Sequence, residues 1–322
     1  VVVRALTRAQ HRVVVYDNLS RGHRDAVPTE VEFIQGDIAD REKLDFVFSR
    51  AQFDAVMHFA ASIEAGESMQ IPELYFRNNS AATLTLLEVM LARKVKRLVF
   101  SSTAALYGDP KRVPISEEEP LQPTNAYGAS KLLVEQMLAW LNRIHGLRYC
   151  SLRYFNAAGA TGDLGEAHRP ETHLIPLVLQ TAAGQRETIS IFGTDYPTTD
   201  GTCIRDYIHV SDLAKAHTLA LAGLESHSNL IYNLGNGQGF SVRQVIESAR
   251  AVTGCSIPVV EAPRRPGDPA ILVASSEKIR RELHWQPEYS QLEKIIESAW
   301  KWLRAHPHGY ATHTEQQVQC PG

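Results

Sequence analysis

The sequence predicts an α/β protein: a doubly wound parallel sheet followed by a smaller α/β lobe. Three observations carry that expectation. Short apolar runs of strand length alternate with longer stretches whose apolar residues recur every three or four positions. The short runs are near-continuously apolar, as strands covered on both faces are, and they end in acids, hydroxyls or tight turns. A chain of 322 residues with 44% hydrophobic content is also large enough to bury a sizeable core.

Val2 to Arg8 reads as the first helix, and Val13 to Asp17 as a buried strand ending in an acid. Val31 to Ile34, followed by Gly36-Asp37, repeats the design. Ala55 to Phe59 is a third such run, and Arg97 to Phe100, leading into Ser101-Ser102-Thr103, a fourth. Pro72 to Arg93 and Ala126 to Ile144 carry helical periodicity between and after them. Beyond about Asn156 the pattern loosens into shorter elements separated by Gly- and Pro-bearing loops. Residues 1–156 therefore read as one domain and 157–322 as a second lobe, with 311–322, within the polar stretch from 306, a flexible tail.

Composition narrows the function. Charged residues make up 21% of the chain and the formal net charge is −3, so neither nucleic acid nor an anionic membrane is indicated. No apolar run approaches the roughly 18 residues of a membrane helix, and no cleavable leader is recognisable. Cys150, Cys203, Cys255 and Cys320 are scattered, which fits a reducing cytoplasm. The 13 histidines show no spacing of a ligand set, so no metal is expected.

Ligands of parallel sheets bind beyond the carboxyl ends of the strands, where Asp17, Asp37, Phe59 and Thr103 fall. Tyr127 and Lys131 lie four apart on one predicted helix, so phenol and ammonium share a face. A fixed cation beside a phenol favours the phenolate, which would make Tyr127 a base near neutral pH. The bland alternative is an exposed helix that happens to carry both residues. A dinucleotide-binding sheet normally opens with a strand and a Gly-rich turn. No such turn precedes Asp17, which is expected of a truncated start and of weak NAD binding by this chain.

The motifs continue along the whole length. Y-D-N-L at 16–19, G-D-I at 36–38, H-F-A-A at 58–61, F-S-S-T at 100–103, L-Y-G-D at 106–109 and Y-G-A-S-K at 127–131 fill the first half. L-R-Y-F-N at 152–156, I-F-G-T-D-Y at 191–196, R-D-Y-I-H-V at 205–210, Y-N-L-G at 232–235 and P-R-R-P-G-D at 263–268 fill the second. With them the chain resembles the extended short-chain dehydrogenase/reductases, and among these the UDP-glucose 4-epimerase family, over nearly its full length.

The resemblance implies a Rossmann-like fold and NAD-dependent interconversion of UDP-glucose and UDP-galactose, an isomerase reaction of galactose metabolism. Tyr127 would take the proton of the sugar 4-hydroxyl, Lys131 would lower the Tyr127 pKa and bind the nicotinamide ribose, and Thr103 would position or relay the proton. Thr103 could instead simply cap the end of its strand. The NAD contacts implied are Asp17, Asn18, Asp37, Ile38, Phe59, Ala60, Asn78, Ser101, Tyr127, Lys131 and Phe155. Asp17 is also a natural turn initiator, and Phe59 and Phe155 are also natural core residues.

On the substrate side the resemblance assigns Thr103, Asn156, Phe192, Arg205, Arg265 and Asp268. The two arginines would hold the diphosphate, Phe192 the uracil and Asp268 the uridine ribose. Leu272 falls where room for a sugar 2-substituent is set. Ile63, with Glu64 beside it, stands where relatives carry a lysine. A nucleotide-sugar dehydratase would need an acid–base pair after the threonine, and Ala104-Ala105 supplies none. Epimerases of UDP-N-acetylhexosamines or UDP-uronates, and an impaired dinucleotide-binding protein, are the alternatives. The family also implies a homodimer.

Overall fold

The computed structural model describes residues 1–265 and 267–310. The tail expected at 311–322 lies outside them. Helix α1 (Val2–Arg8) leads to strands β1 (Val14–Asp17) and β2 (Glu32–Gln35), then α2 (Arg41–Arg50) and β3 (Val56–His58). Two short helices follow, α3 (Ala65–Ser68) and α4 (Pro72–Tyr75), then α5 (Ala82–Ala92) and β4 (Arg97–Thr103). Helix α6 (Ala126–His145), β5 (Arg148–Tyr154), β6 (Asn156–Ala158), α7 (Leu174–Ala182) and β7 (Ile189–Phe192) come next. The chain continues through β8 (Ile204–His209), α8 (Val210–Gly223), β9 (Asn229–Leu234), β10 (Gly239–Ser241) and α9 (Val242–Thr253). It closes with β11 (Val259–Ala262), β12 (Ile271–Leu272), α10 (Glu277–Leu283) and α11 (Leu292–Ala305).

Local chemistry sets the helix ends. Asp40 caps α2 by accepting the Lys43 N–H, and α9 opens on a reciprocal Ser241/Gln244 capping box. Helix α6 is stopped by Gly146 in the left-handed region at φ 66°. The stretch expected as one helix over Pro72 to Arg93 is interrupted by a π-turn at Phe76–Ala81. Such turns displace side chains that a regular helix would point elsewhere.

Strands β3, β4, β5 and β9 form one parallel sheet in that order, and β1 pairs with β2 in parallel. The second half of the chain supplies β9, and α8 packs on the same sheet. Strand β8 is the hub of the other lobe, pairing with β6, β10 and β12, while β7 pairs with β11. One apolar cluster lies between the sheet and helices α2, α5 and α6, around Leu87, Met90, Leu98 and Leu138. A second lies between the sheet and α8, around Leu152, Ala216, Tyr232 and Trp285. A third is confined to the later lobe, around Ile191, Ile246 and Ile295. Two clusters on opposite faces of one sheet are what a doubly wound fold requires.

Candidate active site

The start of helix α6 packs on the turn at Ala104–Leu106 that follows β4. Asn125 caps it by accepting the Gly128 N–H at 2.8 Å. A Cβ on Gly128 would stand 2.5 Å from the Ala105 carbonyl oxygen, so only glycine lets the helix come this close to the turn after Thr103. That approach brings Tyr127 to the Thr103 hydroxyl, which hydrogen-bonds the phenol and also accepts the Ala105 N–H at 3.1 Å. The capping role foreseen for Thr103 is thus present, and the same hydroxyl faces Tyr127. Lys131 is buried, donates to the Ser101 carbonyl at 2.9 Å and lies 4.9 Å over the Phe100 ring. Thr103, Tyr127 and Lys131 come together as expected.

Their electrostatics differ from the expectation in one respect. Burial raises the Tyr127 pKa above the usual phenol value; the Thr103 hydrogen bond pulls it back and the Glu64 carboxylate adds to the rise. Burial lowers Lys131 to about 7. Helical spacing set the two side by side, but loss of solvent dominates both titrations and acts in opposite directions on an acid and a base. Nearby His58 is pushed down to about 3, first by burial and then by the Lys131 charge, and its Nε2 lies 2.7 Å from the Thr83 hydroxyl.

Beneath the trio is a polar layer that sequence reasoning missed. Glu135, two further turns along α6 from Tyr127, is engaged by Arg153 of β5 through two N–H donors at 3.0 and 2.6 Å. Ser102 donates to Glu135 at 2.6 Å, Arg153 donates to the Tyr107 hydroxyl at 2.8 Å, and Tyr107 donates to Asn233 at 2.7 Å. The signal was available: Tyr127, Lys131 and Glu135 share one helical face. Its partner, in another element, was not.

The residues assigned to NAD line the strand ends. The Asp17 carboxylate accepts the Leu19 N–H at 2.7 Å, the turn role foreseen for it. Asn18 donates to Asp37 at 2.8 Å, and Asp37 also accepts the Ala39 N–H at 2.8 Å, with Ile38 between them. Phe59 and Ala60 are exposed. Phe59 is thus no core residue; it stacks on His217 at 4.8 Å. Asn78, in the π-turn, donates to the Ser62 hydroxyl at 3.1 Å. Its neighbour Asn79 binds Ser62 backbone and the Ser130 hydroxyl, tying the turn to α6. Phe155 is half-buried after β5, its N–H on the Leu234 carbonyl.

The second set assembles in the other lobe. Arg205 pairs with Asp268, and the Arg265 guanidinium sits 3.9 Å over the Phe192 ring. The Asp268 N–H reaches the Arg265 carbonyl at 3.3 Å, joining the four into one group. Asn156 donates to the Asp206 carbonyl at 3.1 Å, adjacent to Arg205. Leu272 is paired across the ladder with Arg205. Asp206, buried under this group, accepts the N–H groups of Asn236, Gly237 and Ala274, and burial raises its pKa to about 6.

Residues 1–235 match the model of the NAD dependent epimerase/dehydratase family. The chain belongs to this family. It is 53% identical over 309 residues to a UDP-glucose 4-epimerase of Halalkalibacterium halodurans, covering 95% of this chain and 92% of that one. A solved UDP-glucose 4-epimerase is 51% identical with a TM-score of 0.93, over 96% and 95% of the two chains. The Bifidobacterium longum UDP-glucose 4-epimerase, solved with NAD+ and UDP, is 36% identical with a TM-score of 0.92, over 96% of each chain. The family match stops at residue 235, whereas the structural matches continue through the lobe that carries Arg265 and Asp268.

Proposed function

We propose that this chain interconverts UDP-glucose and UDP-galactose by transient oxidation at sugar carbon 4, with NAD as its cofactor. The single observation that carries the reading is the Thr103–Tyr127–Lys131 cluster at the carboxyl end of β4, in a chain about half identical over its length to UDP-glucose 4-epimerases. The residues present fit NAD. Asp17 and Asp37 keep spare acceptor lone pairs at the strand ends, Phe59 and Ala60 leave an open apolar surface, and Lys131 has N–H donors beyond its bond to Ser101. When bound, NAD supplies the acceptor and then the donor of the hydride at carbon 4.

The chain's own groups do the rest. Tyr127 takes and returns the 4-hydroxyl proton, Thr103 holds that proton's path, and Lys131 holds the ribose and offsets the phenolate charge. Asp17, Asn18, Asp37, Ile38, Asn78, Ser101 and Phe155 complete the cofactor's surroundings. Arg205 and Arg265 hold the diphosphate, Phe192 stacks the uracil, Asp268 takes the ribose and Asn156 the sugar side. Residues 1–156, completed by α8 and β9 from later in the chain, form the cofactor domain, and the remainder of 157–322 the nucleotide-sugar lobe. No described helix is long and apolar enough to cross a membrane, and we place the enzyme in the cytoplasm.

Tyr127→Phe should lower UDP-galactose turnover at least ~100-fold, as loss of a general base does, with UDP affinity within about threefold of the parent. Turnover within tenfold of the parent would overturn the assigned role. A homodimer is supported by an apolar stripe on α6, where Trp140 is 61%, Ile144 63% and Leu133 40% exposed. Light scattering should give the mass of two chains for the parent and of one for Trp140→Glu with Ile144→Lys; a monomeric parent would sink this part.

A further inference from the structure

Outside the active site, the crossover between β6 and α7 gathers four side chains of ligating type. Glu166, His168, Glu171 and His173 follow the pattern E-x-H-x-x-E-x-H, and their ligating atoms all lie within 4.8 Å of one another. Glu166 Oε1 is 2.5 Å from His173 Nδ1 and 3.1 Å from His168 Nδ1, and Glu171 Oε1 is 3.0 Å from His173 Nδ1. These imidazoles are the ion-pair partners found for both carboxylates among the described residues. The Glu171 carboxylate is further fixed by the N–H groups of Thr172 and His173, each at 2.8 Å.

We propose that this loop is a structural site for one divalent transition-metal ion of the zinc class. Its ligands are Nδ1 of His168 and His173 and one oxygen each of Glu166 and Glu171. Two imidazoles favour zinc or a neighbouring transition metal over calcium or magnesium, which take oxygen sets. Four protein ligands close a tetrahedral shell, the pattern of structural and not catalytic zinc. With metal–ligand bonds of about 2.0–2.2 Å, tetrahedral ligand atoms stand about 3.3–3.6 Å apart, so the 2.5 Å Glu166–His173 contact must open by about an ångström and pairs as far apart as 4.8 Å must close. Two carboxylates balance the ion's charge. The backbone donors to Glu171 supply the outer support that such ligands commonly have.

The place explains what an ion would do. His173 is the residue before α7, and the loop is held from three sides. His23 Nε2 meets the Ala167 carbonyl and Arg21 donates to the Arg169 carbonyl, both at 2.9 Å; Arg169 reaches the His308 carbonyl, also at 2.9 Å. Tyr310 and Gly165 exchange two hydrogen bonds at 2.9 and 3.0 Å. An ion at the centre would lock the segment that ties the β1 edge to the end of α11.

The test uses untagged full-length protein, equilibrated with zinc chloride and then passed through a desalting column. Elemental analysis should find about one zinc per chain in the parent, and less than about a tenth in the His168→Gln, His173→Gln variant. Cobalt in place of zinc should give the intense visible absorption of a tetrahedral site in the parent only. Chelator should lower the parent's melting temperature, reversed by zinc, and leave that of a folded variant unmoved. Should the double variant fail to fold, the parent's stoichiometry and cobalt spectrum still decide. Zinc below about a tenth per chain in the parent, or an octahedral cobalt spectrum, overturns the proposal and leaves a hydrogen-bonded Glu–His clasp.

Discussion

The layer under Tyr127 and the rim that faces the proposed cofactor are both polar, yet they are built in opposite ways. Glu135 and Arg153 are 6% and 3% exposed and satisfy each other across two elements of the sheet and its helix. Asp17, Asn18 and Asp37 lie at the open strand ends, and Asp17 and Asp37 are engaged by backbone groups only two residues away. A buried charge must be paired by the fold itself, whereas a rim residue such as Asp17 needs only a local turn and stays available to a ligand. The difference separates residues that hold the fold together from residues left open to the proposed cofactor.

The largest effect should come from breaking the buried pair. Glu135→Ala leaves the Arg153 guanidinium without its charged partner, which typically costs about 3–5 kcal/mol of stability. Urea unfolding measures it, and a loss below about 1 kcal/mol would mean that water reaches Arg153 and the layer is not sealed. A smaller effect, dependent on pH, belongs to Lys131. Burial places its folded pKa at about 7, below the value near 10.4 of an unfolded lysine. The unfolded chain therefore binds more protons between those values, and cofactor-free protein gains stability as pH rises from about 7 toward 10. Lys131→Met removes that gain, so parent and variant should diverge in parent's favour between pH 7 and pH 9.5 by up to a few kcal/mol. Parallel stability profiles would mean that the ammonium is solvated.

Much of this site was legible because local patterns specify it. The strand ends with their acids, and the face shared by Tyr127 and Lys131, follow from runs and spacings within one element. Strand β4 could not be bounded that way. Ser101, Ser102 and Thr103 belong to it because their backbones continue the ladder with Leu152, Arg153 and Tyr154, a tertiary fact invisible in their side chains. The π-turn at Phe76–Ala81 likewise has no sequence signature, though it aims Asn78 and Asn79. The titration of Tyr127 departs from the expectation for a related reason: spacing reports the neighbouring charge, and only the packed chain reports how much water is lost. His168 and His173 carry no zinc-like spacing with other histidines or cysteines, because half of the proposed ligand set is glutamate.

The smallest stability effect, and the sharpest test of the contrast, is at the rim. Asp17→Asn keeps an oxygen that can accept the Leu19 N–H but removes the carboxylate charge. Because the turn survives and the site is only half-buried, stability should change by no more than about 0.5 kcal/mol. A charged acceptor lost from a ribose hydrogen bond is worth about 1.5–3 kcal/mol, so NAD affinity should fall by roughly 10- to 100-fold. Calorimetric titration with NAD, alongside urea unfolding without it, separates the two quantities. Were Asp17→Asn to destabilise the fold as Glu135→Ala does, the rim would be part of the scaffold after all. Unchanged NAD affinity would instead remove Asp17 from the cofactor's surroundings while leaving the buried layer untouched.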